Sequence, residues 1–466
     1  MSRRPWKTYP TPTGTTPDVG MLAATDGLLT LLGHGPWLVF TFCFGASVGS
    51  FVNVIVYRLP LHMSLSVPPS RCPTCGGKLR FFRENLPVLG WVLLRGRCRF
   101  CRVRISPVYP LVELIMGLLF VGLYVLLFMA GPGDWGWALG GPWWEVQQFG
   151  LAWPGYLAFA TLLASLWAMT VIDARTFLIP IQIPLFASIA GMVLWTVQGL
   201  LARKIGHDWP LPATAWPATL AALLGLGGVL VSWALLATGR LRPSFADYEA
   251  FVPEGKTLGD YPHARREMGV ELLFLLPCVA GIALGWWWGS TIAGVPPVWL
   301  QALGASVLGY LVGGGVVWAI RIFGTLGFGR EAMGMGDVHL LAAVGAVTGW
   351  FLPLVAFFIA PFLGLAWAGI AGLIRRVDGR RRELPYGPHL AIAVVAVFLC
   401  RPLLLDGWTF LMPQVPVPSR TLATPESRSG PVSGWTPASE HGPMPVARDG
   451  DRAATQTPER RLNRWL

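Results

Sequence analysis

Two groups of residues in this 466-residue chain have types and spacings that could do chemistry. The first is a pair of C-x-x-C steps, Cys72/Cys75 and Cys98/Cys101, in RCPTCGGKLRFFRENLPVLGWVLLRGRCRFC. Each step puts two sulfurs on one tight turn, and Gly76 and Gly77 let the first turn close. Four thiolates suit tetrahedral Zn2+, and a site with all four positions filled by protein is structural, not catalytic. A redox dithiol or a pair of disulfides is the competing reading of the same spacing. Cys43, Cys278 and Cys400 stand alone in apolar runs and read as small buried hydrophobes.

The second group is acidic. Asp173 ends the run ATLLASLWAMTVID, and Asp337 follows Gly334-Met335-Gly336 and opens VHLLAAVGAVTG. Two carboxyls brought close together repel, so one stays protonated while the other ionises. Such a pair can activate a water and protonate a departing amine. Gly334 and Gly336 allow close backbone approach, so an extended strand of substrate could lie against the site. An aspartate at a helix start is also often only a cap. Glu113 and Glu271, one turn inside apolar runs, read as anchors or as partners of loop arginines.

The elements that must carry these groups are apolar. Hydrophobic residues make up 53% of the chain and charged residues only 13%, with mean hydropathy +0.54. A soluble domain carries about 25% charged residues, so a typical cytosolic enzyme and most disordered proteins are excluded. The net charge of +12 would suggest nucleic acid in a soluble chain. Here the basic residues cluster between apolar runs, which points to membrane topology and to no nucleic-acid partner.

The first long apolar run, WLVFTFCFGASVGSFVNVIVY, begins at Trp37 and ends at Arg58. Further spans are predicted to begin near Leu111, Tyr156, Pro180, Pro217, Val270 and Val298. The stretch from Val338 to about Ile374 reads as two spans with a tight reversal near Gly349, and a last span covers about His389 to Leu405. The fold class is therefore an all-α polytopic membrane protein of about 8–10 transmembrane helices with a small zinc-ribbon-like loop domain. No internal repeat is evident.

Residues 58–104 hold ten Lys/Arg against the single acid Glu84, residues 375–382 hold Arg375, Arg376, Arg380, Arg381 and Arg382, and the stretch 131–153 has neither Lys nor Arg. The positive-inside rule makes the first two cytoplasmic and the third not. Counting spans from there puts Asp173 and Asp337 at cytoplasmic ends. The expected organisation is a flexible segment 1–35, a first transmembrane helix 36–57, a cytoplasmic four-cysteine loop domain 58–107 and a membrane-embedded body 108–405. A polar loop, 239–269, interrupts the body, and a disordered Pro/Ser/Thr/Arg-rich tail occupies 412–466. Trp91, Trp153 and Trp350 read as interfacial anchors.

Taken together, these segments resemble the type IV prepilin peptidase family, polytopic aspartic peptidases of the Gly-x-Gly-Asp type. Four stretches carry the likeness: GSFVNVIVYRLP (Gly49 to Pro60); SRCPTCGGKL with ENLPVLGWVLLRGRCRFCRVRISPVYPLVELI; Asp173 with Ile179-Pro180; and EAMGMGDVHLLAAVGAVTGW (Glu331 to Trp350) with PYGPHLAIA after it. The resemblance implies removal of a short basic leader from prepilins or type II secretion pseudopilins, on the cytoplasmic side of the bacterial inner membrane. It maps the catalytic aspartates to Asp173 and Asp337. It also implies structural Zn2+ and, in many members, N-methylation of the new N-terminus with S-adenosylmethionine, although no motif here marks a methyl-donor site. The sequence departs from the family's pattern at Ile181, where an acid is common, and at His339, where a lysine is usual. The rival readings are a proton-coupled transporter and a non-catalytic assembly scaffold. Substrate identity and oligomeric state are not encoded in any recognisable motif.

Overall fold

The computed structural model describes residues 19–67, 71, 72, 74–78, 84, 86–131, 134, 137–202, 210–247, 261–374 and 385–400. The basic cluster 375–382, the tail 412–466 and most of segment 1–35 lie outside the described residues. Among those described, the secondary structure is helical apart from two isolated β-bridges.

The helices are α1 (Val19–Arg58), α2 (Leu89–Leu93), α3 (Val108–Phe128), α4 (Trp137–Thr176), α5 (Gln182–Leu201) and α6 (Trp216–Ala237). After these come α7 (Ala264–Gly289), α8 (Val298–Phe328), α9 (Met335–Thr348), α10 (Phe351–Ile374) and α11 (Tyr386–Leu399). Eight of them are long and apolar enough to cross a membrane. Their outer faces carry large apolar side chains, such as Phe358, Phe362 and Leu365 on α10, as expected where lipid is the solvent.

Four boundaries differ from the sequence expectation. Helix α1 begins at Val19, inside the segment expected to be flexible. Helix α4 takes in residues 137–153, expected as loop, and its continuity is broken at Gly141 and Gln148, both with positive φ. The stretch after Val338 does reverse at Gly349 (φ 82°), but its first limb, α9, has only 14 residues. The last helix, α11, also has 14 and ends at Leu399. At about 1.5 Å per residue these two reach about 21 Å, short of a hydrocarbon core of about 30 Å.

Helix α9 lies at the centre, with every residue from Leu340 to Val347 buried. Its last carbonyls have no partners in the helix itself, and no water is available at such depth. Ser306 Oγ donates to the Ala346 carbonyl (2.5 Å) and Trp195 Nε1 donates to that of Val347 (2.9 Å). Helix α8 lies backbone to backbone against α9. A Cβ on Gly309 would stand 2.0 Å from the Gly345 carbonyl oxygen, and one on Gly345 would stand 2.0 Å from that of Gly309. The α6–α7 hairpin closes the same way, with Gly281 and Gly285 of α7 against the Leu224 and Leu220 carbonyls of α6. Small residues are what let membrane helices approach so closely.

Helix α4, which carries Asp173, contains Pro154, which removes a backbone donor. Beside it the fully buried Gln198 of α5 sits between Leu151 and Gly155. Its Nε2 donates to the Leu151 carbonyl (3.0 Å), and its Oε1 accepts from the Gly155 N–H (3.1 Å). The side chain thus stands in for one turn of the main-chain ladder at the kink. The close contact of α8 and α9 yields a test. Gly309→Ala is expected to cost about 1–3 kcal/mol through overpacking, seen as a lower melting temperature in detergent. An unchanged temperature would mean that the two backbones stand farther apart.

Candidate active site

Asp337 lies in the first turn of α9, after an extended Gly334 (φ −70°, ψ 143°). Asp173 lies near the end of α4 and is buried, 7% exposed. The two carboxyls are within electrostatic reach of each other. Two contacts build this convergence, and a tyrosine lies near it. Gly336, next to Asp337, is pressed against Ile179, which follows α4; a Cβ there would stand 3.0–3.4 Å from Ile179 atoms. The Gly387 N–H, in the first turn of α11, donates to Asp173 Oδ2 (3.0 Å). Tyr386, the first residue of α11, lies within electrostatic reach of Asp337. Both short helices therefore start at the acidic pair. Helix N-termini carry partial positive charge, so each carboxyl lies at the positive end of a short helix.

The two glycines before Asp337 have different surroundings. Gly336 is fixed by the Ile179 contact. Gly334 is exposed, and a Cβ there would stand 3.6 Å from Asp337 Oδ2. Sequence reasoning missed Gly387, where a Cβ would lie 2.6 Å from Asp173 Oδ2. Only glycine permits the N–H to reach the carboxylate with nothing in between.

It also missed Arg321, a single cation inside the apolar α8. This residue is 2% exposed and pairs with Glu271 of α7 and with Glu331. Glu271 reads from the sequence as an anchor or a partner of a loop arginine; its partner is an arginine from within a helix. Glu113 accepts a hydrogen bond from the Val88 N–H (2.7 Å), joining α3 to the four-cysteine loop.

In that loop the four sulfurs lie within 4.8 Å of one another. Cys72 and Cys101 sulfurs are 3.8 Å apart, and those of Cys75 and Cys98 are 3.9 Å apart. Four ligands at about 2.3 Å from one ion stand about 3.8 Å from each other. The geometry fits Zn2+, and all seven cysteines are free, with no disulfide.

The two halves are built alike. The Gly76 N–H bonds the Cys72 carbonyl (2.9 Å) as the Arg102 N–H bonds that of Cys98 (3.0 Å), and both Gly76 and Arg102 have positive φ. The bridges Arg71–Lys78 and Arg97–Arg104 close them. Here is an internal repeat, R-C-x-x-C-x-x-K/R, where none was expected; its eight residues are too few to stand out by eye. Backbone N–H groups of Cys75 and Thr74 aimed at the Cys72 sulfur draw its pKa down to about 6, whereas Cys101, despite the Val103 N–H, is pushed up to about 11 by desolvation and the other three sulfurs, so the four thiols do not ionise alike. Trp91, expected at the membrane interface, donates to the Ile105 carbonyl (3.1 Å) and covers Gly96 within this loop.

Comparison with known proteins gives the family. Residues 43–127 match the Bacterial Peptidase A24 N-terminal domain, and residues 272–369 match the Type IV leader peptidase family. A prepilin leader peptidase/N-methyltransferase of Burkholderia pseudomallei is 30% identical over 420 residues, covering 83% of this chain and 93% of the relative. The chain belongs to the type IV prepilin leader peptidase family.

A relative of the same name from Aeromonas hydrophila is 28% identical over 393 residues, covering 78% of this chain and 92% of its own. Another, from Myxococcus xanthus, is 38% identical over 172 residues, 36% of this chain and 44% of its own. No solved structure matches the chain. With eight apolar helices of crossing length, this member of the family is a multi-pass membrane protein.

The two departures from the family's pattern, Ile181 and His339, line one cavity of about 260 Å³ beside α9.

Two outcomes follow from these contacts. Gly387→Ala is expected to lower peptidase turnover about a hundredfold by displacing the Asp173 carboxylate, with the protein still folded by size-exclusion chromatography. Cys72→Ser with Cys98→Ser is expected to carry less zinc than the unchanged protein by elemental analysis of purified samples; an equal metal content would disprove the four-sulfur site.

Proposed function

We propose that this chain is a membrane-embedded aspartic endopeptidase. Its substrates are type IV prepilins or type II secretion pseudopilins, and it removes their short basic leader. The observation that carries this reading is the meeting of Asp173 and Asp337 at the first turns of two short helices, α9 and α11. The relatives' shared name supports the substrate class.

In the proposed mechanism, the apolar N-terminal helix of the prepilin lies in the bilayer beside this protein, and its basic leader stays in the cytoplasm. The scissile amide then reaches the end of the helical body where α4 finishes and α9 and α11 begin. One carboxylate takes a proton from water as the water attacks the carbonyl carbon. The other, protonated, gives its proton to the departing amine. The Gly387 N–H holds Asp173 Oδ2 and leaves its second oxygen to act. No covalent acyl-enzyme is required.

The basic loop 58–104 and the basic run 375–382 favour the orientation that puts this end in the cytoplasm of a bacterial inner membrane. Cys72, Cys75, Cys98 and Cys101 would hold Zn2+, which supplies folding energy to a loop that has little core of its own. The relatives' names add N-methyltransferase activity, with S-adenosylmethionine as the donor. That activity is part of the proposal, though no residues of this chain are assigned to it.

Purified protein with a prepilin-like peptide tests the reading. Asp173→Asn and Asp337→Asn are each expected to lower cleavage, followed by mass spectrometry, by at least about a thousandfold. Cleavage at the normal rate by either variant would refute the pairing.

A further inference from the structure

The segment that delivers Asp337 is short. Helix α8 ends at Phe328, Gly329 turns with φ 73°, and α9 begins at Met335. The intervening residues are held mainly by one side chain, Arg321. Its Nη1 donates both to Glu331 Oε1 and to the Met333 carbonyl. A second tie runs from the Ala332 N–H to Thr325 Oγ1 (3.1 Å).

The other edge of the guanidinium faces away from this turn. Its Nε and Nη2 donate to Glu271 of α7 (3.1–3.3 Å). Glu271 is fixed in turn by Trp318 Nε1 (2.7 Å). The ring of Phe245, from the loop after α6, lies 5.6 Å from the guanidinium carbon. Phe245 is itself tied to α7, because its N–H donates to Glu267 Oε2 (2.8 Å).

We propose that Arg321 is a positioning residue for Asp337: it locks the Glu331–Met333 turn, and the α6–α7 hairpin holds the guanidinium in the required orientation through Glu271 and Phe245. The inference rests on the reading of Asp337 as catalytic and deepens it. A planar fork with donors on two edges can grip an acid on one side and a turn on the other. A lysine, with one point charge, cannot do both. The arrangement gives the α6–α7 hairpin a task in the reaction, although it contributes no group to the acidic pair. It also explains an arginine in an apolar helix, where an unpaired charge is costly and a paired one marks function.

The rival reading is that Arg321 only neutralises the buried Glu271. Glu331→Gln separates the two, because it loosens the turn and leaves the Arg321–Glu271 pair whole. The test is steady-state cleavage of a prepilin-like peptide by full-length protein in detergent. Its variants are Glu331→Gln, Arg321→Lys, the double variant and, alongside, Asp337→Asn. Each single change at 331 or 321 is expected to lower kcat about tenfold or more with KM within about twofold, because a misplaced group loses transition-state contact and not substrate binding. The double variant is expected to be no worse than the poorer single one, since both act through one contact.

Wild-type kcat in Glu331→Gln, or losses that multiply in the double variant, would overturn the proposal while leaving the aspartate reading intact. Normal cleavage by Asp337→Asn would remove that reading itself, and the positioning role with it. Should Arg321→Lys not fold, Glu331→Gln alone decides between the two outcomes.

Discussion

Helix α9 is too short to cross a bilayer, so at least one of its ends has to be satisfied inside the protein. This constraint organises the molecule. At its far end, Ser306 and Trp195 take the last carbonyls. Along its length, Gly309 and Gly345 bring α8 to backbone contact. At its near end, the first turn holds Asp337 against the Ile179 segment and beside Asp173. A polar helix terminus in an apolar slab is costly unless something uses it. Here one terminus is closed by two side chains and the other carries an acid.

The same economy governs the charges. Buried Glu271 and Glu267 both sit on α7, and each has an arginine partner, Arg321 and Arg242 respectively. Taking one member of such a pair away leaves the other stranded, which is why buried pairs constrain more than they stabilise. In this family member Arg242–Glu267 ties the segment after α6 to α7, and Arg321 joins Glu271 of α7 to the turn before Asp337. The four-cysteine loop follows a different logic, since a loop so small has little core and a metal held by its four sulfurs would supply that folding energy.

Much of this was legible in the chain. Apolar run lengths gave the helical class. The C-x-x-C spacing gave the sulfur cluster, whose distances then fit a tetrahedral ion. The aspartates stood out because charge beside an apolar run is rare. Other features were hidden for physical reasons. Hydropathy cannot separate a 14-residue buried helix from a span when apolar residues run on past a reversal, as they do across Gly349. Gly387 looks like any glycine until Asp173, 214 positions away, is placed beside it. Arg321 could have been found by asking which acid neutralises a lone cation in an apolar run, but the answer, Glu271, lies on a different helix.

The central claim is spatial: the end of α4 and the start of α9 meet. A Cβ at position 336 would lie 3.0 Å from that of Ile179, close to the separation of about 3.8 Å that a disulfide spans. The direct measurement is disulfide formation in Ile179→Cys with Gly336→Cys, made with Cys43, Cys278 and Cys400 replaced by Ser and the four loop cysteines kept. Mild oxidation in membranes is expected to link the pair within minutes, read as a cross-linked peptide by mass spectrometry. A control pairing Ile179→Cys with Leu399→Cys, at the other end of α11, is expected to stay reduced. Free thiols at 179 and 336 under conditions that oxidise accessible neighbouring cysteines would contradict the convergence on which the hydrolytic pair depends.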